Sequence, residues 1–486
     1  MAEATDTETH KKMADEMNQA DLTSETETGQ QQMVELQPLL SSQPSDPSHN
    51  HFQQQQHLYA SPFTSVTVGD EVTIDIRKVI QNCGDALLLQ DLCIFKVPIT
   101  LRYLNEEAYT PQFVSIGPFH YGNERLQEME RHKPVLFKIF TQRAKSSLDD
   151  LVCLVKDLES RVRASYSETI NLTRQQLVKL TLMDAGFVIE LFLMNYMRHG
   201  VQRDAKLSQP WLYESLFEDL LLLENQLPFF VIEELFNKAF HFQVLRGIFP
   251  SFLKLMYEYF GQLNKQQLEP NPDVKIKHFT DLLRLFYLQG NMSERHVSQE
   301  DKRHLLYNAN ALHEAGIQFK VCESKCLLDL KFSGHILEIP QIAVDDNTEL
   351  LFRNMIALEQ CHYPYDMYIS DYATVLDCLI DTYKDVDLLI HKKIVLHSLG
   401  DNLTVASLFN GLGKNVLEFN FNSDYFEMNQ SLNDYCEDLW NKMKATLRHD
   451  YCNTPWHTLA SIAGIILLVL TIVQTICSVL QVVLKK

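Results

Sequence analysis

The carboxyl-terminal segment restricts the possible folds of this chain more than any other feature. The residues from Thr458 to Leu484 include no charged side chain. As a helix rising about 1.5 Å per residue, the segment would extend for about 40 Å, which exceeds the roughly 30 Å hydrocarbon layer of a bilayer. Trp456 before it and Lys485 and Lys486 after it suit the membrane interfaces. Because a buried core helix of this length normally keeps a polar face, the pattern predicts a single C-terminal transmembrane helix.

The amino-terminal segment has the opposite composition. Residues 1–60 contain ten Asp or Glu and two Lys, together with Gln runs at Gln30–Gln32 and Gln53–Gln56. Few apolar side chains are available there to offset the entropy lost on folding. We therefore predict a disordered, acidic, Gln-rich tail over residues 1–72. No secretory signal is predicted, because no basic region precedes an apolar run.

The charge and the cysteines limit the partners and the compartment. The 486 residues carry a formal charge of −20, with 63 acidic and 43 basic side chains, so no nucleic-acid partner is predicted. The ten Cys residues are scattered, as expected for reduced thiols in the cytosol. The Asn-x-Ser/Thr sequons do not establish a lumenal domain, because their number is near chance; they begin at Asn171, Asn291, Asn402 and Asn429. The orientation of the chain stays open at this point.

The segment between tail and anchor, residues 73–455, is predicted to form one α-rich globular domain. Strands are few, but Leu327–Phe332 and His335–Ile339 flank Ser333-Gly334, a loop that suits a tight hairpin. The fold class is therefore mainly α (α-rich α+β) with a small β-hairpin, followed by residues 456–486 as the transmembrane anchor. Helical patterns occur at Leu177–Met197, Asp219–Leu227, Phe229–Phe240, Phe279–Leu288, Glu349–Gln360 and Tyr372–Leu389.

A segment that contains Gly and Pro, Ser115–Gly122, is the first candidate for a functional loop. It could present the polar tips of His120 and Tyr121. The interpretation that we favour is that Gly117 and Pro118 shape a turn while the aromatic side chains, Phe119 and Tyr121, pack. A phosphate-binding loop is not expected, because the Lys and Ser/Thr of a P-loop are absent.

Two further groups contain candidate acid–base residues. In Met129–Lys133, Glu130 and His132 could act as a pair, but residues two apart on a helix do not face each other, so ion-pair and helix-surface roles are favoured. Glu224 lies between two apolar runs, and a buried carboxylate is costly unless it is paired. Since Pro228 disfavours helical geometry just before it, we favour a role for Glu224–Gln226 in satisfying backbone groups at a helix break.

Two groups could bind a metal ion, although neither is predicted to do so. In the first, Asp345 and Asp346 more simply cap a helix that starts near Thr348, and Glu349 and Arg353 have the spacing of an ion pair. The second has two thiols and two imidazoles but lacks the usual zinc spacing. The first is the polar set Asp345, Asp346, Glu349, Arg353 and Glu359, of which Asp345, Asp346 and Glu349 could bind a divalent metal ion; the second is His313, Cys322, Cys326 and His335.

A series of ordered motifs resembles the plant domain-of-unknown-function 247 proteins, also called UPF0481-type proteins. The resemblance covers roughly residues 73–475, and the acidic tail lies outside it. The motifs are Val97-Pro98, Ala108–Phe140, Asp184–Leu193, Leu220–Phe236, His313–Lys320, Leu337–Cys361, Leu432–Trp440 and Pro455-Trp456. The resemblance implies a plant protein that usually carries one C-terminal membrane segment and has no established enzymatic activity. Some members in grasses are associated with pollen-side self-incompatibility, which implies recognition and signalling.

From these observations we expect a membrane-anchored recognition or signalling protein, at the plasma membrane or an endomembrane, with a cytosolic globular domain. Residues 458–484 would bind the membrane, and an unidentified protein would bind the α-rich domain. No catalytic residue, cofactor or metal is predicted, because recognised catalytic motifs are absent from the sequence. The alternative is a membrane-associated hydrolase using His120, Glu130 or Glu224. That alternative requires a His or Cys beside a carboxylate in a concave pocket.

Overall fold

The computed structural model describes residues 71–82, 91–197, 206–207, 209–288, 290, 295–296, 305–417, 420–438 and 455–484. Helix α1 (Glu71–Asn82) belongs to a unit that ends at Asn82, and every later element belongs to a second unit that begins at Cys83. Nearly all of the predicted tail lies outside the described residues. The predicted boundaries near residues 72 and 455 stay predictions.

Helices and their connections form the described part of the second unit up to Leu288. Two short 3-10 helices, Glu107–Tyr109 and Glu124–Leu126, precede the first long helix. The α-helices are α2 (Ile99–Arg102), α3 (Gln127–Arg143), α4 (Leu148–Ala164), α5 (Arg174–Tyr196), α6 (Pro210–Asp219), α7 (Phe229–Leu245), α8 (Phe252–Tyr259) and α9 (Phe279–Tyr287).

Helix α5 is central to this array. It begins at a capping box, in which the Gln176 N–H donates to the Thr173 hydroxyl and the Thr173 N–H donates to the Gln176 side chain. These bonds satisfy amides that the first turn of a helix leaves open. Because α3, α4, α7 and α8 all pack against it, most side chains from Leu177 to Met194 are buried, whichever face they occupy. The predicted helix at Leu177–Met197 is therefore confirmed.

An aromatic cluster joins α5 to α8 and α9. The ring of Phe192 stacks on Tyr259 with 4.3 Å between centroids, and it lies 5.5 Å from Phe279 and 5.7 Å from Phe252. Aromatic pairs at such distances contribute roughly 0.5–1.5 kcal/mol beyond the burial of their surface. Large rings thus fill the centre of the helical array.

The described residues from Arg295 to Glu437 combine helices with short strands. Their helices are α10 (Ala309–Ala315), α11 (Thr348–His362), α12 (Tyr368–Leu379), α13 (Tyr383–His391), α14 (Asn402–Leu412) and α15 (Ser423–Glu437). Their strands are β1 (Arg295–His296), β2 (Gln318–Cys322), β3 (Lys331–Ser333), β4 (Ile336–Pro340), β5 (Ile342–Val344), β6 (Val395–His397) and β7 (Phe421–Asn422).

The strands form small sheets. In the three-stranded sheet, β3 and β4 are an antiparallel hairpin and β2 runs parallel to β4. Gly334 in the hairpin turn has φ +63°, a conformation that favours glycine. The predicted hairpin is therefore confirmed, although its first strand begins at Lys331 instead of Leu327. The strands β5 and β6 pair in parallel, β1 pairs antiparallel with β7, and the mainly α class with a small β element is confirmed.

Two helical predictions were wrong. The run after Asp219 is buried but not helical, because α6 ends at Asp219 and the Gln226 side chain donates to the carbonyls of Leu220 and Leu222, both at 2.7 Å. This contact confirms that Glu224–Gln226 satisfy backbone groups at a helix break. The segment Tyr372–Leu389 forms two helices, α12 and α13, and not one continuous helix.

The break between α12 and α13 has a local cause. The Asp385 carboxylate accepts hydrogen bonds from both the N–H and the hydroxyl of Thr382, each at 2.8 Å. These contacts start a new helix at Tyr383. The apolar pattern of Tyr372–Leu389 continues through this break, so it did not predict the start of a second helix.

Helix α16 (Pro455–Leu484) is the last element. Its described side chains are exposed, including Leu467 at 65%. The hydroxyls of Thr471, Thr475 and Ser478 donate to backbone carbonyls four residues earlier, at 2.7–2.8 Å. Among the residues that the structure describes, no helix combines the length and apolar character that crossing a bilayer requires. The prediction of a transmembrane helix is therefore not confirmed.

Candidate functional site

The Gln112–Gly117 segment is held in place by buried polar side chains from distant parts of the chain. Asp219, the last residue of α6, accepts hydrogen bonds from the N–H groups of Gln112, Phe113 and Val114 at 2.8, 2.7 and 2.8 Å. Burial raises the pKa of Asp219 to about 7, although the three N–H donors act in the opposite direction. Backbone amides that no strand partner satisfies are thus paired by a side chain.

Two more side chains complete the support of this segment. The Asn225 side chain accepts from the Ile116 N–H at 2.6 Å, and Asp184 accepts from the Gly117 N–H at 2.9 Å. Gly117 has φ +77°, and a Cβ atom there would lie 2.3 Å from the Gln226 carbonyl oxygen. Only glycine fits this turn without displacing its neighbours. The predicted turn at Gly117 is confirmed.

Lys133 on α3 forms a buried ion pair beneath the same segment. Its ammonium lies 2.6 Å from Asp184 Oδ1 and also contacts Glu130 and the Ser115 carbonyl. Burial raises the pKa of Asp184 to about 6, against the lowering effect of Lys133. The predicted ion-pair role is confirmed. The helix-surface placement was wrong for Lys133, which is 1% exposed, and Glu130 pairs with Lys133.

Glu224 is the centre of a second buried charge cluster. Its Oε1 accepts from the Val97 N–H at 2.7 Å and lies 2.6 Å from the Arg102 guanidinium. Its Oε2 lies 3.4 Å from Lys96 Nζ and 3.5 Å from His120 Nε2. Two cations thus offset the cost of burying this carboxylate, which is 1% exposed. We call Lys96, Arg102, His120 and Glu224 the Glu224 cluster.

The chemistry available to His120 follows from its burial. Burial lowers its pKa to about 4, against the raising effect of Glu224, so the ring is neutral at physiological pH. Within the described residues, no group hydrogen-bonds its Nε2. Burial also raises the pKa of the nearby Cys361 thiol to about 12, which disfavours the reactive thiolate. The cluster therefore holds a weak base beside a neutralised carboxylate.

An open hollow of about 500 Å³ lies beside the cluster. Lys96 connects the two, since its side chain is 42% exposed and its ammonium lies 4.8 Å from the Phe119 ring centroid. Phe119 packs edge-on against Tyr166, as predicted, whereas the predicted packing of Tyr121 was wrong, because Tyr121 is 49% exposed. His120 does not line the hollow. Its lining residues are Lys96, Pro118, Phe119, Tyr121, Glu168, Thr169, Ile170, Asn171 and Leu172.

A hydrolase would require a His or Cys beside a carboxylate in a concave pocket, and this arrangement is only partly present. A histidine does lie beside a carboxylate, but the adjoining concave surface presents Lys96 instead of His120. The polar side chains that line it are those of Lys96, Tyr121, Glu168, Thr169 and Asn171. Such a surface can bind a polar chain segment by charge and hydrogen bonding.

The acidic group around α11 has structural contacts. Asp345 accepts from the Asn347 N–H at 3.1 Å and from the Thr348 hydroxyl at 2.9 Å, next to the helix start. The Glu349–Arg353 ion pair is present at 2.7 Å. The predicted i,i+4 pair is confirmed. The predicted capping by Asp345 and Asp346 was wrong, because Asn347 is the N-cap residue and this described helix start has no side-chain capping hydrogen bond. Glu359, the last residue of this polar set, is fully buried and pairs with Arg284.

Glu359 joins three helices. Its carboxylate lies 2.9 Å from the Arg284 guanidinium of α9 and accepts from the N–H groups of Ile369 and Ser370 at the start of α12. Arg284 also donates to the Asp366 carbonyl. Each oxygen of this buried carboxylate is thus occupied by a structural partner.

Of the four residues considered for zinc, His313, Cys322 and Cys326 have side chains that contact backbone groups. The Cys326 thiol donates to the Tyr287 carbonyl at 3.3 Å, and the Cys322 sulfur accepts from the Ser324 N–H at 3.4 Å. In the described part of the chain, no group of three or more His, Cys, Asp or Glu side chains is arranged to hold a metal ion.

The sequence analysis did not identify three of the side chains in these contacts, namely Lys96, Arg102 and Asp219. Lys96 and Arg102 are ordinary surface residues by their local pattern, and Glu224 lies 128 positions from Lys96. Asp219 is one of three acidic residues in α6. The only available signal was that Lys96 and Arg102 flank the Val97-Pro98 motif.

Comparison with known proteins agrees with this arrangement of motifs. The domain-of-unknown-function 247 model, described as a plant protein of unknown function, matches residues 94–470. A UPF0481 protein of Arabidopsis thaliana is 30% identical over 421 residues, covering 81% of this chain and 87% of the relative. A second, putative UPF0481 protein of the same plant is 24% identical over 481 residues, covering 78% and 89%. No solved structure matches the chain. The chain belongs to the plant domain-of-unknown-function 247 family.

Proposed function

We propose that this plant protein is a recognition or signalling component that is attached to a membrane by α16 and binds another protein through its α-rich domain. The plasma membrane is the proposed site, with the α-rich domain on its cytosolic side. The observation that carries the attachment is the row of exposed apolar side chains along α16, from Leu459 to Leu480. Exposed apolar surface of this extent is unfavourable in water and marks a site of association.

The structural contacts of buried polar side chains support a recognition role over a catalytic one. Asp184, Asp219 and Asn225 all bind backbone groups of the mostly buried Gln112–Gly117 segment, so these side chains fix the position of the residues that follow it. The segment leads directly into the hollow beside Lys96 and Tyr121. A rigidly supported surface with exposed polar tips is suited to binding a partner without reorganisation.

The proposal is tested by proximity labelling in plant cells. The full-length chain is compared with a chain that ends at Tyr451, and membrane pellets are extracted with alkaline carbonate. The full-length chain should stay in the membrane fraction and label membrane-associated neighbours, which the shorter chain should lose. A soluble full-length chain with the same neighbours as the shorter one would contradict the proposal.

A hydrolase is the alternative that one observation favours, namely the 3.5 Å separation of His120 Nε2 and Glu224 Oε2. If the cluster catalyses hydrolysis, His120→Gln should reduce turnover of ester or amide substrates by about 100-fold or more. His132→Gln on α3 is the matched control. Equal turnover by the two variants would exclude this role for His120.

A further inference from the structure

Three large apolar side chains lie exposed together at the end of α7. Phe242, Leu245 and Ile248 are 49%, 72% and 54% exposed. Phe242 and Leu245 are three residues apart and therefore lie on the same face of the helix. We call these three side chains the α7 tip. Its apolar surface faces solvent.

The way in which α7 ends keeps the tip together. Gly247 has φ +66°, and the Ile248 N–H donates to the Gln243 carbonyl at 2.8 Å, as in a Schellman motif. This motif turns Ile248 back towards the last turn of the helix. Phe249 then packs on Phe240 of the core, with 5.5 Å between ring centroids. The tip is therefore presented by a fixed turn.

The stretch of sequence that contains the tip is basic, although the whole chain carries a charge of −20. No Asp or Glu occurs between Glu234 and Glu258. The Arg246 guanidinium lies 4.1 Å from the Phe242 ring centroid. The exposed basic side chains in this stretch are Lys238, His241, Arg246 and Lys254.

We propose that the α7 tip, together with Arg246 and Lys254, contacts the anionic surface of a lipid bilayer. Apolar side chains that insert at the level of the headgroups, beside cations attracted to anionic lipid, are the elements of interfacial binding. Lys238 contributes less, because it interacts with Asp150 of α4. Pairing of two tips is disfavoured, because a symmetric contact would bring the same cations together. The inference deepens the proposed membrane attachment and rests on it.

The test is hydrogen–deuterium exchange on the full-length protein in nanodiscs. One set of discs contains only phosphatidylcholine, and the other also contains phosphatidylserine. We expect the apolar helix α16 to be protected in both sets, and peptides covering Phe242–Phe249 to be protected only in the anionic discs. Because each cation near an anionic leaflet contributes about five-fold to binding, Arg246→Gln with Lys254→Gln should reduce the protection of the tip by roughly 25-fold.

Two matched variants and a concentration series separate the outcomes. Leu245→Ser should weaken the protection of the tip, whereas Leu403→Ser, which changes a leucine on α14 that is 60% exposed, should not. Equal protection of the tip in neutral and anionic discs overturns the inference, and so does protection that rises with protein concentration. If α16 is unprotected and the protein does not enter discs, the result contradicts the proposed membrane attachment by α16 and not the inference about the tip. The protein added to phosphatidylserine vesicles then still tests the tip.

Discussion

At the scale of single residues, the buried Lys133–Asp184 pair should be sensitive to substitution. Lys133→Met leaves the buried Asp184 carboxylate without its cation, and breaking a buried pair in this way costs roughly 3–5 kcal/mol. We expect a loss of that size in the free energy of unfolding by urea. Lys138→Met, at an exposed position on the same helix, is the control. Adding Asp184→Asn should recover part of the loss, and equal stability of the two lysine variants would contradict this account.

His278 makes the stability depend on pH. Its Nε2 lies 3.1 Å from the Cys93 carbonyl oxygen while its Nδ1 accepts from the Asp281 N–H, so the neutral ring is bound. Burial lowers its pKa from 6.5 to about 4. The unfolded chain therefore takes up the proton first, and stability is lost as the pH falls from about 6.5 through about 4, by up to about 3 kcal/mol. His278→Gln should flatten this loss in urea titrations at each pH. His391→Gln should leave it unchanged.

At the scale of elements, the turn at Gly117 is the clearest target. Gly117→Ala combines φ +77° with a Cβ only 2.3 Å from the Gln226 carbonyl oxygen, so we expect a destabilisation of more than about 3 kcal/mol. Gly122→Ala has a similar φ of +88° but open space around its Cβ, and should cost about 1 kcal/mol. Thermal denaturation of both variants measures the difference. A Gly117 variant as stable as the Gly122 variant would show that the contact can relax.

The elements also show where sequence patterns are informative. Helix α5 was predictable because apolar residues on all faces require burial on all sides, and the hairpin because a glycine turn separates two short strands. The Leu220–Leu223 run has the same apolar character as a helix, yet contacts from Asn225 and Gln226 to backbone carbonyls replace the helical bonds. The Glu224 cluster could not be predicted, since its cations come from a segment more than a hundred positions away.

At the scale of the whole molecule, the sequons bear on the orientation of the chain. Asn429 on α15 is 1% exposed, so it is not accessible in the folded domain. Asn402 is engaged by Asp387 and His397 at the start of α14. Asn291 lies outside the described residues. Asn171 is exposed beside the hollow, which makes it the sequon among the described residues that is best placed to carry a glycan.

Asn171 can therefore report on which side of the membrane the domain lies. Under the proposed cytosolic orientation, the full-length protein from plant microsomes should show no change in mobility after treatment with a glycosidase that removes N-linked glycans. Protease added to intact microsomes should digest the α-rich domain. A version with an added secretory signal is the positive control, because it should gain a glycan that Asn171→Gln removes. A glycan on Asn171 in the unmodified protein would place the domain in the lumen, where its partners would be extracellular and the α7 tip would face the leaflet with less anionic lipid.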